Sequence, residues 1–233
     1  MPPWLQWLLT PLSGATEHLI QPATYWHARS MVLAWAMLLP LGALVARFFK
    51  VRPGRGWPQT LDDKWWWQAH RSLQYAGCGA MLIGLWLAYG PTGRPGALAG
   101  WHHLLGWAVI VMALSQLVGG MLRGSKGGPT DRQLRGDHYD MTRRRLAFEW
   151  LHKGLGWLSV LIAMVVIATG LVMVDAPRWM PLVLVVWYAA LIAAFWRLQR
   201  QGRCHDTYQA IWGPDAAHPG NGPRRKGFGV RRA

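Results

Sequence analysis

Acidic residues are scarce in this chain, and so are charged residues in general. Of its 233 residues, 10 are Asp or Glu and 25 are Lys or Arg, which gives a formal net charge of +15 at pH 7. Charged residues make up only 15% of the chain, whereas 52% of the residues are hydrophobic. Long apolar runs with so few charges are typical of membrane spans and argue against an ordinary soluble domain.

Cysteine is almost absent as well. Cys78 and Cys204 are the two that occur, and neither belongs to a C-x-x-C-H motif. The sequence therefore excludes the usual covalent attachment of a c-type haem. We expect Cys78, inside an apolar run, to be a small packing residue, and Cys204 to be a reduced thiol in the cytoplasm.

Five apolar stretches are long enough to cross a bilayer as helices, since about 20 residues span a hydrocarbon core of roughly 30 Å. They cover about residues 27–48, 65–89, 101–122, 148–174 and 180–197. The sequence thus predicts an all-α membrane protein with five transmembrane helices. We expect four domains: an outer N-terminal segment (1–26), a four-helix core (27–174), a fifth helix (175–199) and a disordered basic tail (200–233).

The basic residues are concentrated in three segments that five spans would place on one side of the membrane. Residues 47–64, 123–145 and the tail from Arg197 hold 20 of the 25 Lys and Arg residues, whereas the opposite loops hold Arg94 and Arg178. This is the positive-inside pattern, which predicts an outer N-terminus and a cytoplasmic C-terminus. The distribution argues for contact with anionic lipid headgroups and against nucleic acid as a partner.

Four histidines lie near the starts of four successive apolar stretches: His27, His70, His102 and His152. Ionisable side chains inside a membrane are costly and usually mark function. Because consecutive spans alternate in direction, His27 can meet His102 near one face, and His70 can meet His152 near the other. Two histidine pairs at two depths predict two stacked haems, each with six-coordinate iron suited to electron transfer.

Residues near these histidines favour the same interpretation. Gly106 follows His102 by four positions and Gly156 follows His152 by four, so each glycine lies on the helix face of its histidine and leaves room for a flat macrocycle. Gln74 has the same offset from His70 and could form a hydrogen bond near its ring. The glycine offset favours His102 over the adjacent His103 as ligand; His103 could face the outer surface or receive a substrate.

Two interpretations stay open for the cations Arg71 and Lys153, and two for the loop histidine His138. Arg71 and Lys153 directly follow His70 and His152, where they could pair with anionic haem propionates or simply extend to the inner interface. His138 lies in the inner loop within the sequence GDHYDM. A polar loop residue is the simpler interpretation of His138, and a docking or shielding role beneath the inner haem is the other.

As a set, these motifs resemble the cytochrome b561 family, especially the four-helix core that is also attached to DOMON domains. The first span reads H-x7-W-x4-P-x-G-x4-R from His27 to Arg47, and the second reads H-R-x-x-Q from His70. The third and fourth spans each read H-x3-G. The resemblance covers roughly residues 27–174 and implies two b haems, with ligands paired first helix to third and second to fourth. The short chain and its basic inner loops are similar to bacterial inner-membrane members.

The sequence therefore predicts transmembrane electron transfer through two bis-histidine b haems, between a donor on one face and an acceptor on the other. The periplasm is the expected location of the N-terminus. Two alternatives stay open: a quinol-linked cytochrome b subunit of a larger oxidoreductase, and a membrane transporter or scaffold without redox function. A quinone, a partner oxidoreductase subunit and a second copy of this chain stay open as partners.

Overall fold

The computed structural model describes residues 1–16, 19–89, 96–222 and 227–232. Within these ranges the chain is helical, with connecting segments and no β-strand. Arg94 and the tail residues 223–226 and 233, about which the sequence makes predictions, lie outside the described residues.

The first long helix runs from Pro22 to Phe48 in three consecutive parts, after a short helix α1 (Pro3–Leu9). Helix α2 (Pro22–Val32) leads into a π-helical segment (Leu33–Leu38) and then into α3 (Leu39–Phe48). Pro22 suits the first helical turn because its φ is already helical and its missing N–H would have no helical partner there. The helix thus begins five residues before the predicted boundary at His27, which lies within it.

The remaining long helices are α4 (Trp65–Ala88), α5 (Ala97–Met121), α7 (Arg143–Met173) and α8 (Trp179–Arg200). A short helix, α6 (Asp137–Asp140), lies between α5 and α7. Among the described residues, four helices are long and apolar enough to cross a membrane, namely Pro22–Phe48, α5, α7 and α8. Helix α4 forms where the second span is predicted, but its first turns carry polar side chains that lower its mean hydropathy: Gln68, His70, Arg71 and Gln74. These helices indicate a multi-pass membrane protein.

The chain divides into two compact units, and each long helix contributes residues to both. Unit 1 comprises Met1–Pro40, Gln74–Leu114 and Trp157–Ala193, and unit 2 comprises Leu41–Leu73, Ser115–Gly156 and Ala194–Ala233. The buried core of unit 1 includes Trp35, Met81, Ile110 and Ala163, one from each of the first four long helices. Many aliphatic side chains of α8 are exposed, among them Val185, Val186 and Ile192, as expected of a helix surrounded by lipid.

The tail in unit 2 differs from the predicted disorder. Helix α9 (Thr207–Trp212) begins after Asp206, whose carboxylate accepts hydrogen bonds from the backbone N–H groups of Tyr208 and Gln209. Tyr208, Ile211 and Trp212 are buried together. Further along, Arg232 donates to the Asp206 carboxylate at 3.3 Å and to two backbone carbonyls. Burial of Tyr208 and Trp212, together with the cap at Asp206, thus orders this part of the tail although its average composition is polar.

Candidate haem-binding sites

His27 and His102 lie together in unit 1. His27 is on α2 and His102 on α5, and each is the sixth residue of its helix. Their ring centroids are 6.4 Å apart, and the planes of the rings are inclined by 72°. The structure therefore brings together the two residues that alternating helix direction predicts as the outer pair.

Backbone carbonyls fix the orientation of both rings. The Nδ1 of His27 lies 2.8 Å from the carbonyl oxygen of Gly84 on α4. The Nδ1 of His102 lies 3.1 Å from the carbonyl oxygen of Val166 and 3.2 Å from the hydroxyl of Thr169, both on α7. A carbonyl oxygen can only accept, so Nδ1 carries the proton in each ring. The Nε2 atoms then present their lone pairs, as metal-binding histidines do.

His70 and His152 form the second pair, in unit 2. His70 is on α4 and His152 on α7, and their ring centroids are 6.3 Å apart with planes inclined by 84°. The Nδ1 of His70 lies 2.9 Å from the carbonyl oxygen of Gly42 on α3, which fixes the same tautomer as in the first pair.

His152 is oriented differently from the other three histidines. Its Nδ1 is buried and has no hydrogen-bond partner in the described parts of the chain. The ring instead stacks on Phe148, one turn earlier in α7, with centroids 5.1 Å apart and an angle of 22° between the planes. Packing rather than hydrogen bonding therefore holds this imidazole in place.

The spacing of both pairs fits two imidazoles on opposite sides of one metal ion. An imidazole nitrogen lies about 2 Å from a bound transition metal, and the ring centroid lies about 1 Å further away. Two such ligands in a line would place their centroids about 6 Å apart, close to the 6.4 Å and 6.3 Å observed. Three of the four histidines also have the tautomer that ligation requires. The residues present thus fit two bis-histidine haems.

Glycines leave space beside both pairs. A Cβ atom placed on Gly106 or on Gly156 would meet no other atom within 4 Å. A Cβ placed on Gly170 would instead lie 3.1 Å from the His102 ring, so this glycine lets α7 approach the imidazole closely. Within the described residues there is no cluster of three or more His, Cys, Asp or Glu side chains that could hold a metal ion.

His103 and His138 have other neighbours. The Nε2 of His103 accepts a hydrogen bond of 3.1 Å from the indole of Trp107, one turn later on α5. The described structure therefore pairs His102, rather than His103, with His27. His138 is buried against Tyr208 and Trp212, and burial lowers its pKa to about 3. It is thus a neutral, packed side chain rather than the polar surface residue that the sequence favours.

The two predicted propionate partners lie beside aromatic or acidic side chains. Lys153 donates to the carboxylate of Glu149 at 2.9 Å, and Arg145 donates to the same carboxylate at 3.1 Å. The guanidinium of Arg71 lies 5.7 Å from the ring centroid of Trp67. Glu149 was not among the predicted site residues, although its i,i+4 spacing to Arg145 and to Lys153 is visible in the sequence.

The hydrogen-bond acceptors of the histidines could not be predicted either. Gly42, Gly84 and Val166 act through their carbonyl oxygens, so their side chains give no signal. Gln74, predicted to bond near the second histidine, donates instead to the carbonyl of Leu39 at 3.1 Å. Which carbonyl faces an imidazole depends on the register between neighbouring helices, and a residue pattern does not specify that register.

Comparisons with known proteins find relatives of the kind that the sequence motifs resemble. The chain is similar to cytochrome b561 proteins. A cytochrome b561, DM13 and DOMON domain-containing protein of Arabidopsis thaliana is 29% identical over 164 residues, which are 70% of this chain and 16% of that protein. Ferric-chelate reductase 1 of Bos taurus is 30% identical over 146 residues, which are 62% of this chain and 22% of that protein.

The human ferric-chelate reductase 1 is 27% identical over 145 residues. The aligned part is 16–22% of the length of these curated relatives. No family model and no solved structure matches the chain. These relatives agree with the resemblance of the sequence motifs to the cytochrome b561 family.

Proposed function

We propose that this protein carries electrons across a membrane through two b haems, one held by His27 and His102 and the other by His70 and His152. The observation that supports this most is the repetition of one geometry in two separate units. Each unit holds two imidazoles at the spacing that a single iron requires. Gly106 on α5 and Gly156 on α7 leave open space on the helix faces of His102 and His152.

The chemistry follows from the ligands. Haem iron with two imidazole ligands exchanges single electrons and has no open position for oxygen. The protein orients the imidazoles: Gly84, Val166 and Gly42 accept from Nδ1 and direct Nε2 toward the cofactor. Arg71 and Lys153 are the proposed partners of the propionates beside the second pair.

We further propose that α4 is the remaining membrane span, since two of its polar side chains, His70 and Gln74, bond to carbonyl oxygens of α3 instead of facing lipid. With five spans, the basic segments lie in the cytoplasm and the N-terminus in the periplasm of a bacterial inner membrane. The donor and the acceptor are separate molecules that bind at opposite faces. A ferric chelate, which names several relatives, is the first acceptor to be tested.

The test is a haem count on protein purified in mild detergent. Reduced-minus-oxidised spectra and a pyridine haemochrome assay should give two b haems per chain. Each of the variants His27→Leu, His102→Leu, His70→Leu and His152→Leu should lose one haem. His103→Leu is the matched control, because His103 is adjacent to a ligand but bonded to Trp107, and it should keep both haems.

Protein without haem from cells well supplied with it would overturn the proposal. Full haem content in the four ligand variants would overturn the assignment of the pairs. Electron transfer itself is tested in vesicles that contain the protein, with reductant outside and ferric chelate inside. Internal iron reduction should require the protein, and it should be lost in each ligand variant.

A further inference from the structure

The four histidines fall into three that donate a hydrogen bond through Nδ1 and one that does not. His27, His70 and His102 each face a carbonyl oxygen at 2.8–3.1 Å. His152 has a buried Nδ1 without a partner in the described residues and a stacked phenyl ring beside it. In unit 1 both histidines of the pair donate through Nδ1, whereas in unit 2 only His70 does so.

This difference changes how strongly each imidazole donates electrons to a metal. A hydrogen bond from Nδ1–H to an oxygen gives the ring more imidazolate character and makes Nε2 a more basic ligand. A more basic ligand stabilises ferric iron over ferrous iron and thus lowers the reduction potential. A histidine without this bond is a weaker donor and leaves the potential of its haem higher.

Charges near His152 act in the same direction. In the turns of α7 on either side of His152, the carboxylate of Glu149 is shared by Arg145 and Lys153, at 3.1 Å and 2.9 Å. Two cations with one carboxylate leave a net positive charge on this helix segment. A positive charge favours the haem that has gained an electron.

We infer that His152 is the weakest electron donor of the four ligands, so that the haem of His70 and His152 has the higher reduction potential. The inference rests on the proposed function and adds a direction to it. A haem held by His27 and His102 would be oxidised by one electron, and a haem held by His70 and His152 would be reduced by that electron. No further reactant is needed for this step. Under the proposed orientation, the downhill direction runs from the periplasmic face to the cytoplasmic face.

Spectroelectrochemical titration of the purified two-haem protein tests the inference. The wild-type titration should resolve into two components, and Thr169→Val then assigns them. Thr169 is one of two acceptors for His102 Nδ1, and valine is nearly the same size but accepts no hydrogen bond. The substitution should move the lower component to a higher potential and leave the upper component in place. A shift of the upper component, or of neither, would overturn the inference.

Single-haem variants give an independent measurement. His27→Leu should retain the haem of His70 and His152, and it should titrate at a higher midpoint than His70→Leu, which should retain the other haem. The reverse order would overturn the inference even if both haems are present. Protein with no haem would instead overturn the proposed function, so the two failures are distinguishable. Resonance Raman spectra of the same samples should show weaker iron–imidazole bonding in the His27→Leu protein.

Discussion

The indole nitrogen of Trp187 on α8 donates a hydrogen bond of 2.7 Å to the carbonyl oxygen of Ala36 in the π-helical segment. Pro40 has no N–H to donate to the carbonyl four residues before it, which is that of Ala36. The fifth long helix thus satisfies a backbone group that a proline leaves open in the first. This bond gives α8 a specific place against the four-helix core of unit 1.

Trp187→Phe should therefore destabilise the protein. The change keeps most of the apolar surface but leaves the Ala36 carbonyl without its donor, at a cost of about 1–3 kcal/mol. Thermal unfolding in detergent would measure this as a lower midpoint. Trp196→Phe is the control, because Trp196 lies on the same helix and is half exposed. Equal midpoints in the two variants would contradict the role given to Trp187.

Gly106→Leu should remove haem without unfolding the helices. The space beside Gly106 is open, so the new side chain meets no protein atom at its Cβ, but it extends on the helix face of His102. We expect helical circular dichroism to stay at the wild-type level and haem content to fall by one. Gly100→Leu is the matched control, since Gly100 is on the same helix and also has no neighbour within 4 Å. Haem loss in both variants would point to a general disturbance of α5.

Gly77→Ala should destabilise the packing of α4 against the first helix. A Cβ at Gly77 would lie 2.7 Å from a methyl group of Leu39, which is too close for an undistorted contact. Small residues allow such close helix approach in membranes, and overpacking costs about 1–3 kcal/mol. Gly79→Ala, where the space is open, should be neutral or slightly stabilising. Unfolding midpoints that rank the two variants in the opposite order would refute this packing.

Stability should fall as the pH is lowered from about 6.5 towards 4, with His138 as one cause. Burial lowers the pKa of His138 to about 3, below its ordinary value of 6.5, so the unfolded chain binds the proton more readily. The loss from this residue is at most about 1.4 kcal/mol per pH unit in that range. His138→Gln keeps an acceptor for Trp212 and should show a flatter pH dependence of the unfolding midpoint. Identical slopes in the two proteins would exclude His138 as a cause.

The helices could be anticipated from the length of the apolar runs, and the histidine pairs from the alternating direction of consecutive spans. Apolar length predicts α5, α7 and α8, and alternating helix direction predicts that His27 faces His102. The π-helical segment at Leu33–Leu38 has no comparable signature in the sequence. In this segment the backbone N–H of Leu39 donates to the carbonyl of Ala34, five residues earlier. Pro40 follows directly, but a proline in the sequence does not by itself predict a π-helical segment.

In the tail, composition predicts disorder where the structure is ordered. The residues after Gly213 are polar and rich in glycine and proline, which predicts disorder. Within the described residues, the structure nevertheless buries Gly220 against the Tyr208 ring and holds Arg232 against Asp206, because a few contacts of long sequence separation suffice to order a short segment. An average over a window does not detect such contacts.

The orientation of three of the four imidazoles depends on main-chain oxygens, two of them belonging to glycines. Replacing Gly42, Gly84 or Val166 would change a side chain and keep the oxygen that the imidazole faces. Alanine scanning would thus overlook the groups that set the tautomers. Substituting an ester for the peptide bond, which weakens the carbonyl as an acceptor, would reveal them. Among these acceptors, side-chain substitution can therefore remove only the hydroxyl of Thr169, the one side-chain acceptor among the described contacts.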